Sequence, residues 1–177
     1  MPQEAFVAFQ HQKDAYGDFP LPIDCQQTIS QPYIVAYMTE KLKVRPTDKV
    51  LEIGTGSGFQ TAVLAQLANE VYTIELHQKL SQKAKNLLTK LGYYNIFYKI
   101  GDGKEGWKEQ AFFDKIILTA AVKENPSNLL EQLAKGGKMI LPLEDKEGSQ
   151  RLVLIDKIDN EQLKYQKLIS VRFVPSL

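Results

Sequence analysis

The densest chemical signal in the chain is the run Glu52-Ile53-Gly54-Thr55-Gly56-Ser57-Gly58. Glycine lets the backbone turn sharply and lets a bound molecule approach it closely. In open α/β sheets a loop of this kind, directly after a buried strand and opening a helix, is where nucleotides and nucleosides bind. Two carboxylates extend the pattern. Glu75 closes the apolar run Val71-Tyr72-Thr73-Ile74, where an acid can accept both hydroxyls of a ribose. Asp102, in Gly101-Asp102-Gly103, follows the run Ile96 to Ile100 and is placed to receive an adenine amino group. Each has an ordinary reading alone: a tight turn, a solvated strand-end acid, a turn residue beside glycine. All three on successive strand ends of one sheet point to a nucleoside.

These residues need a scaffold, and the apolar pattern supplies one. Val50-Leu51-Glu52-Ile53, Val71 to Ile74, Ile96 to Ile100, Ile116-Ile117-Leu118-Thr119 and Met139-Ile140-Leu141 are short apolar runs of the strand type. Between them lie helical patterns: Phe59 to Leu67, Leu80 to Leu91 stopped by Gly92, and a helix starting near Pro126-Ser127 and ending at Gly136-Gly137. Strands alternating with helices across short loops make a parallel sheet covered on both faces. Leu152 to Ile155 and Leu168 to Val174 are too close in sequence for a crossover helix, so they are expected as an antiparallel pair at the sheet edge. Upstream, Ile34, Val35, Met38 and Leu42 share a helical face, with Ser30 or Gln31 starting the helix and Pro32 in its first turn. Residues 1–30 read as an irregular, fixed loop, held extended around Pro20 and Pro22. The expected fold is α/β, a Rossmann-like doubly wound, mostly parallel seven-stranded sheet with an antiparallel C-terminal strand pair.

Composition narrows the chemistry. A chain of 177 residues suits one domain, and a net charge of +1 implies no broad polyanion-binding face. One cysteine, Cys25, excludes an internal disulfide, and two histidines, His11 and His77, argue against a Cys/His zinc cluster. No metal is expected. No apolar run approaches a membrane span, and Met1 to Gln10 is not a secretory signal. A cytoplasmic enzyme without nucleic-acid or membrane partners is the expectation, a monomer first and a dimer second.

The glycine spacing chooses between ligands. Dinucleotide enzymes need a third glycine where this chain has Phe59, which leaves a nicotinamide-dependent oxidoreductase as a distant alternative. Spacing G-x-G-x-G, with Glu52 two residues before the first glycine, resembles motif I of the class I methyltransferases, whose cofactor is S-adenosyl-L-methionine. A second stretch is more specific. Pro20 to Pro32 reads Pro-Leu-Pro-Ile-Asp-Cys-Gln-Gln-Thr-Ile-Ser-Gln-Pro and resembles the signature of the protein-L-isoaspartate O-methyltransferases. Further matches are Met1 to Val7, Gly101-Asp102-Gly103, Trp107, Phe113-Asp114, Leu129 to Gly137 and Val171-Arg172-Phe173-Val174-Pro175. The resemblance covers nearly all of the chain. Family members start earlier, with helices that pack near the site, so the chain is identified as an N-terminally shortened member with more apolar surface exposed.

The resemblance implies a protein-repair reaction. The free α-carboxylate of an isoaspartyl residue in a damaged protein takes a methyl group from S-adenosylmethionine. The ester then cyclises to a succinimide, and hydrolysis returns some normal aspartate. Residues 1–30 would form a substrate and lid segment, 31–145 the cofactor-binding core, and 146–177 the C-terminal strand pair of a single domain. Ser30 maps onto the family's catalytic serine, with Thr28 and Ile29 flanking it at the donor's methyl group. Glu52, Gly54, Thr55, Gly56, Ser57 and Gly58 would line the donor, and Glu75, Leu76, Asp102, Gly103 and Thr119 would complete its site. Pro22, Ile23, Thr28, Ser30, Ala120, Arg172 and Val174 would face the peptide. The nucleophile is a carboxylate, ionised at neutral pH, so no general base is required, and Ser30 is best cast as an orienting hydrogen-bond donor. Serine before a proline-containing first turn is also a common helix N-cap.

Two departures carry expectations of their own. Bacterial members commonly have glycine where this chain has Asp24 and Gln26, and Asp24 would place a negative charge near an anionic substrate. Arg172 is read evenly as a partner of the substrate carboxylate or of an edge-strand neighbour. Trp107 is read as packing, and the lysines at 79, 83, 85 and 90 as a solvated helix face. Competing functions are a non-catalytic S-adenosylmethionine-binding paralogue acting as an interaction module, and a methyltransferase for small molecules or other protein targets.

Overall fold

A computed structural model describes residues 3–7, 9–17, 19–159 and 162–174. Its centre is a seven-stranded sheet of β3 (Lys49–Ile53), β4 (Glu70–Glu75), β5 (Ile96–Ile100), β6 (Phe113–Leu118), β7 (Leu133–Glu144), β8 (Gln150–Lys157) and β9 (Leu163–Val171). The spatial order is β5-β4-β3-β6-β7-β8-β9. β3 to β7 run parallel, and β7–β8 and β8–β9 pair antiparallel. The chain winds outward from β3 through β4 to β5, then returns to place β6 on the other side of β3. The switch point therefore lies between β3 and β6, beyond whose carboxyl ends ligands bind in such sheets.

Alternation along the strands divides the core in two. Val50, Val71, Ile96, Ile117 and Ile140 pack with α1 (Pro32–Leu42), α2 (Phe59–Leu67), α3 (Gln78–Lys90) and the N-terminal residues Phe6, Val7 and Ala15. Leu51, Ile53, Tyr72, Ile74, Ile116, Leu118 and Met139 point the other way, against α4 (Ser127–Gln132) and Trp107. Trp107 is packing, as expected, standing edge-on to Tyr72 with ring centroids 5.4 Å apart.

Three elements differ from the sequence reading. The helix expected to reach Gly136-Gly137 stops at Gln132. Leu133 already pairs with Phe113 of β6, and the buried Lys157 ammonium takes the carbonyls of Leu130 and Leu133 at 2.8 and 2.7 Å. Strand pairing and a cation at the helix end outcompete a further turn. The last strand spans Leu163–Val171 rather than Leu168 to Val174, because Lys164 and Lys167 belong to an exposed edge, where lysines are ordinary. Met1, Met1's neighbour Pro2 and Pro175 lie outside the described residues. Residues before α1 are more ordered than an irregular loop. They form 3-10 turns at Gln3–Phe6 and Phe9–Asp14 and a small hairpin of β1 (Leu21–Pro22) and β2 (Thr28–Ile29).

The hairpin turn places Cys25 and Gln26 at φ 60° and 58°. Positive φ at both central residues is the type I′ pattern, which favours Asn-Gly. This chain instead puts two side chains where they meet their own backbone, and it ties the turn down with Asp24, whose carboxylate pairs with Lys83 and with Lys79, the latter at 3.3 Å. Those lysines, one turn apart on the same face of α3, hold the Asp24 carboxyl below its ordinary range. They are thus ion-paired rather than merely solvated. Replacing Gln26 by glycine is predicted to raise stability by up to about 1 kcal/mol, because relief of the left-handed strain exceeds the added chain entropy. A urea titration of Gln26→Gly against the parent checks this, with Gln12→Gly expected to shift the other way.

Candidate functional site

At the switch point the ends of β3 and β6 are locked together. Thr119 follows β6, and its hydroxyl donates toward the carbonyls of Gly54 at 2.7 Å and Ile53 at 3.0 Å, while its backbone N–H also reaches Ile53 O at 3.0 Å. A Cβ on Gly54 would stand 2.3 Å from that hydroxyl, and φ there is +98°. Gly54 is fixed by this contact. Gly58 is fixed differently, since a Cβ there would press on Ala84 and Leu88 of α3 at 3.1 Å. Only Gly56 looks onto open space, with Ile23 Cδ1 at 3.7 Å as its nearest neighbour.

Above the loop runs a cleft lined by Gly54, Gly56, Glu75, Leu76, Asp102, Gly103, Thr119 and Ala120. The Glu75 carboxylate accepts from Gly56 N at 2.9 Å and His77 N at 3.0 Å, one bond on each oxygen. Each oxygen keeps a lone pair for a further donor. Asp102 uses one oxygen to accept from Lys104 N at 2.9 Å and leaves the other free. Leu76 is 47% exposed beside them, an apolar surface that a planar base would cover.

Two further cavities join this cleft at Thr28 and Thr119. One reaches inward past Ile29, Thr55, Ser57 and Phe59. The other runs outward along Ser30, Gln31, Arg172, Phe173 and Val174. Ser30 borders both. Its hydroxyl has no hydrogen-bond partner among the described residues, while its carbonyl accepts from the buried Gln3 side chain at 3.3 Å. The N-cap of α1 is Gln31, with no side-chain cap bond, so the capping use of Ser30 is not made. Arg172 is likewise without an ion pair or hydrogen bond among the described residues, which removes its edge-strand reading. Its segment is held by Gln150, which accepts from Phe173 N at 2.6 Å and donates to Phe173 O at 3.2 Å, and by Ala121 N to Val174 O at 2.9 Å.

Several expected site residues stand elsewhere. Glu52 is fully buried beneath the loop and lines no part of the cleft. Pro22 and Ile23 border a separate cavity with Asp24, Leu80 and Lys83 on the far side of Gly56, so they do not face the Ser30–Arg172 groove. Asp24 lies on that side too, its charge met by lysines, and the expected repulsion of an anionic substrate loses its basis. Sequence reasoning passed over Gln27, His77 and Phe173, which do line the cavities. Phe173 stands inside the matched run Val171 to Pro175 and lies just past the end of β9 at Val171. His77 carried a signal in its place two residues after Glu75.

Glu52 remains the most unusual group. One oxygen accepts from Thr61 and Thr73 hydroxyls, both at 2.6 Å, and the other is buried without a partner. Thr73 spends its only proton on Glu52, so Thr55, 2.6 Å away, donates to Thr73. A relay of hydroxyls thus ties the glycine loop to a carboxyl under it. Burial pushes that carboxyl up to about 8, the Thr61 and Thr73 bonds oppose the rise, and the Glu75 charge adds to it. An unfolded glutamate releases its proton near 4.5, so the folded chain loses stability as pH climbs from 4.5 to about 8. Glu52→Gln is predicted to remove that decline whatever its absolute stability. Urea midpoints at several pH values across this window check it: the parent should fall by at least about 1 kcal/mol more than the variant.

Comparison with known proteins places this geometry. The family model for protein-L-isoaspartate(D-aspartate) O-methyltransferase matches residues 1–177. A protein-L-isoaspartate O-methyltransferase of Parvibaculum lavamentivorans is 50% identical, covering 99% of this chain and 79% of the relative. One from Picosynechococcus is also 50% identical, over 99% of this chain and 78% of its own length. A solved protein-L-isoaspartate O-methyltransferase structure superposes with a TM-score of 0.89 at 29% identity over 99% of this chain, which spans 58% of that structure's length.

Proposed function

Since the chain belongs to the protein-L-isoaspartate(D-aspartate) O-methyltransferase family, we propose that Ser30 and Arg172 hold an isoaspartyl carboxylate in line with the methyl group of S-adenosylmethionine. The enzyme is an S-adenosylmethionine-dependent protein carboxyl methyltransferase, and its substrates are isoaspartyl residues in damaged proteins. The observation that carries the assignment of roles is the meeting, in one groove that opens onto the glycine-loop cleft, of a serine hydroxyl and a guanidinium that have no hydrogen-bond partner among the described residues.

The cleft suits the donor. Glu75 has two lone pairs left for ribose hydroxyls, Asp102 has one free oxygen for an adenine amino group, and Leu76 offers the base an apolar face. Gly54, Gly56, Gly103 and Thr119 bound the same space, and Thr28, Ile29 and Ser30 close its end, with residues 1–30 serving as the lid segment. Glu52, Thr55, Ser57 and Gly58 act through the loop's shape. S-adenosylmethionine supplies a methyl group already activated by its sulfonium charge. The chain's own task is to place and orient. Arg172 draws the substrate carboxylate into the groove, and the Ser30 hydroxyl donates one hydrogen bond that fixes which oxygen faces the cleft. Ala120 and Val174 narrow the groove around the peptide. No proton moves in the transfer step, and no His, Lys, Asp or Glu among the described residues lines the two cavities that Ser30 borders.

The non-catalytic alternative rests on the shortened start and the altered 24–26 segment, and that segment still forms the hairpin that delivers Thr28-Ile29. A monomer is the proposed working form on the sequence reading. A cytoplasmic location is proposed on the sequence reading. Among the described residues no helix is long and apolar enough to cross a membrane.

The deciding assay is methyl transfer from labelled S-adenosylmethionine to an isoaspartyl peptide beside its aspartyl counterpart. Base-labile label on the isoaspartyl peptide alone is expected, and label on both or neither defeats the assignment. Ser30→Ala should lower kcat about 10- to 100-fold with little change in donor KM, the cost of losing alignment rather than chemistry. Arg172→Gln should raise the peptide KM about tenfold and leave donor KM alone.

A further inference from the structure

The loop bearing Asp102 and Gly103 is gripped from outside by α4. Gln132 is 4% exposed, and both ends of its amide are hydrogen-bonded. Nε2 donates to Glu105 O at 2.9 Å and to Asn128 O at 3.0 Å, and Oε1 accepts from Trp107 N at 2.7 Å. One turn earlier on the same helix face, Asn128 Nδ2 donates to Lys104 O at 3.4 Å. The amide pair therefore takes two successive loop carbonyls and the next free N–H. A Cβ on Gly106 would fall 2.4 Å from Gln132 Oε1, and one on Gly103 would fall 2.2 Å from the Ile53 side chain. The loop lies pressed between β3 and α4, with Gly101 N tied to Glu75 O at 3.0 Å.

Neither amide lines the donor cleft. We propose that Asn128 and Gln132 are positioning residues for the methyl donor: they hold Gly103 to Trp107 so that Asp102 and Gly103 meet its adenine end. This rests on the placement of adenine at Asp102 given above. A residue that only stabilised the fold would, when lost, impair donor, peptide and turnover alike. A positioning residue for this end of the cleft changes donor affinity alone.

The test measures calorimetric affinity for S-adenosylhomocysteine together with steady-state kinetics. Gln132→Met keeps the volume and removes every bond. It should weaken S-adenosylhomocysteine binding and raise donor KM about tenfold, with peptide KM and kcat at saturating donor within about twofold of the parent. Asn128→Ala, at a half-buried position with one loop bond, should give about threefold. Unchanged donor affinity in both variants overturns the proposal, as does a parallel loss in peptide KM and kcat. If Gln132→Met fails to fold by circular dichroism, Asn128→Ala decides alone by the same criteria. Asp102→Ala separates the two levels. Full binding in that variant removes the adenine placement and the proposal with it, whereas weakened binding in Asp102→Ala with normal binding in both α4 variants removes the positioning role only.

Discussion

The hydroxyl of Thr119 against the carbonyls of Ile53 and Gly54 is the contact on which the rest of the site depends. It closes the one seam in the sheet where consecutive strands part company, between β3 and β6. Everything above takes its position from that seam: the glycine loop leaves β3 on one side, and Ala120 and Ala121 leave β6 on the other. Ala121 in turn pairs with Val174 and draws the C-terminal segment, Arg172 included, over the cleft. A side chain at position 54 would force these two strand ends apart, so the glycine serves packing before it serves any ligand.

Below the seam the loop is anchored by polarity rather than packing. Glu52 is fully buried, and the hydroxyls of Thr61 and Thr73 are the hydrogen-bond donors it meets among the described residues. Such a group is costly to bury, yet it orders Thr61, Thr73 and, through Thr73, Thr55 in one direction. The loop is thereby held from underneath by hydrogen bonds whose polarity is set by a single carboxyl. That explains how a segment with three positive-φ glycines keeps one shape.

The fold was legible because its signal is local and repeated. Short apolar runs located β3, β4 and β5, and the helical patterns after the first two located α2 and α3 almost to the residue. The misreadings came from tertiary effects that no window contains: Lys157, far downstream, ends α4, and an edge strand tolerates lysines. The site was legible in part. Glu75, Asp102, Gly56 and Thr119 line one cleft and Ser30 borders the two cavities that join it, whereas Glu52 lies beneath and Pro22 and Ile23 border another cavity. A motif records which residues are required, and burial decides whether each is required for contact or for support. Asn128 carries no motif, and Gln132 sits within the Leu129 to Gly137 match with no role attached to it; only the hydrogen-bond partners of the Asp102 loop reveal them.

The distribution of charge fits the kind of reaction. A sulfonium and a carboxylate enter, and two neutral groups leave, so charge disappears as the bond forms. A site that solvated both ions strongly would favour the reactants over the transition state. Here the acids Glu75 and Asp102 line the part of the cleft proposed for the nucleoside, away from Ser30, and Arg172 stands exposed at the outer groove. What borders the junction itself is neutral: Thr28, Ser30, Thr119 and Phe173. Attraction is strongest at the rim, where it speeds encounter, and weakest at the centre, where strong attraction would oppose the loss of charge. On this view a serine rather than a lysine suits position 30, because its hydroxyl can direct a carboxylate oxygen without trapping the ion.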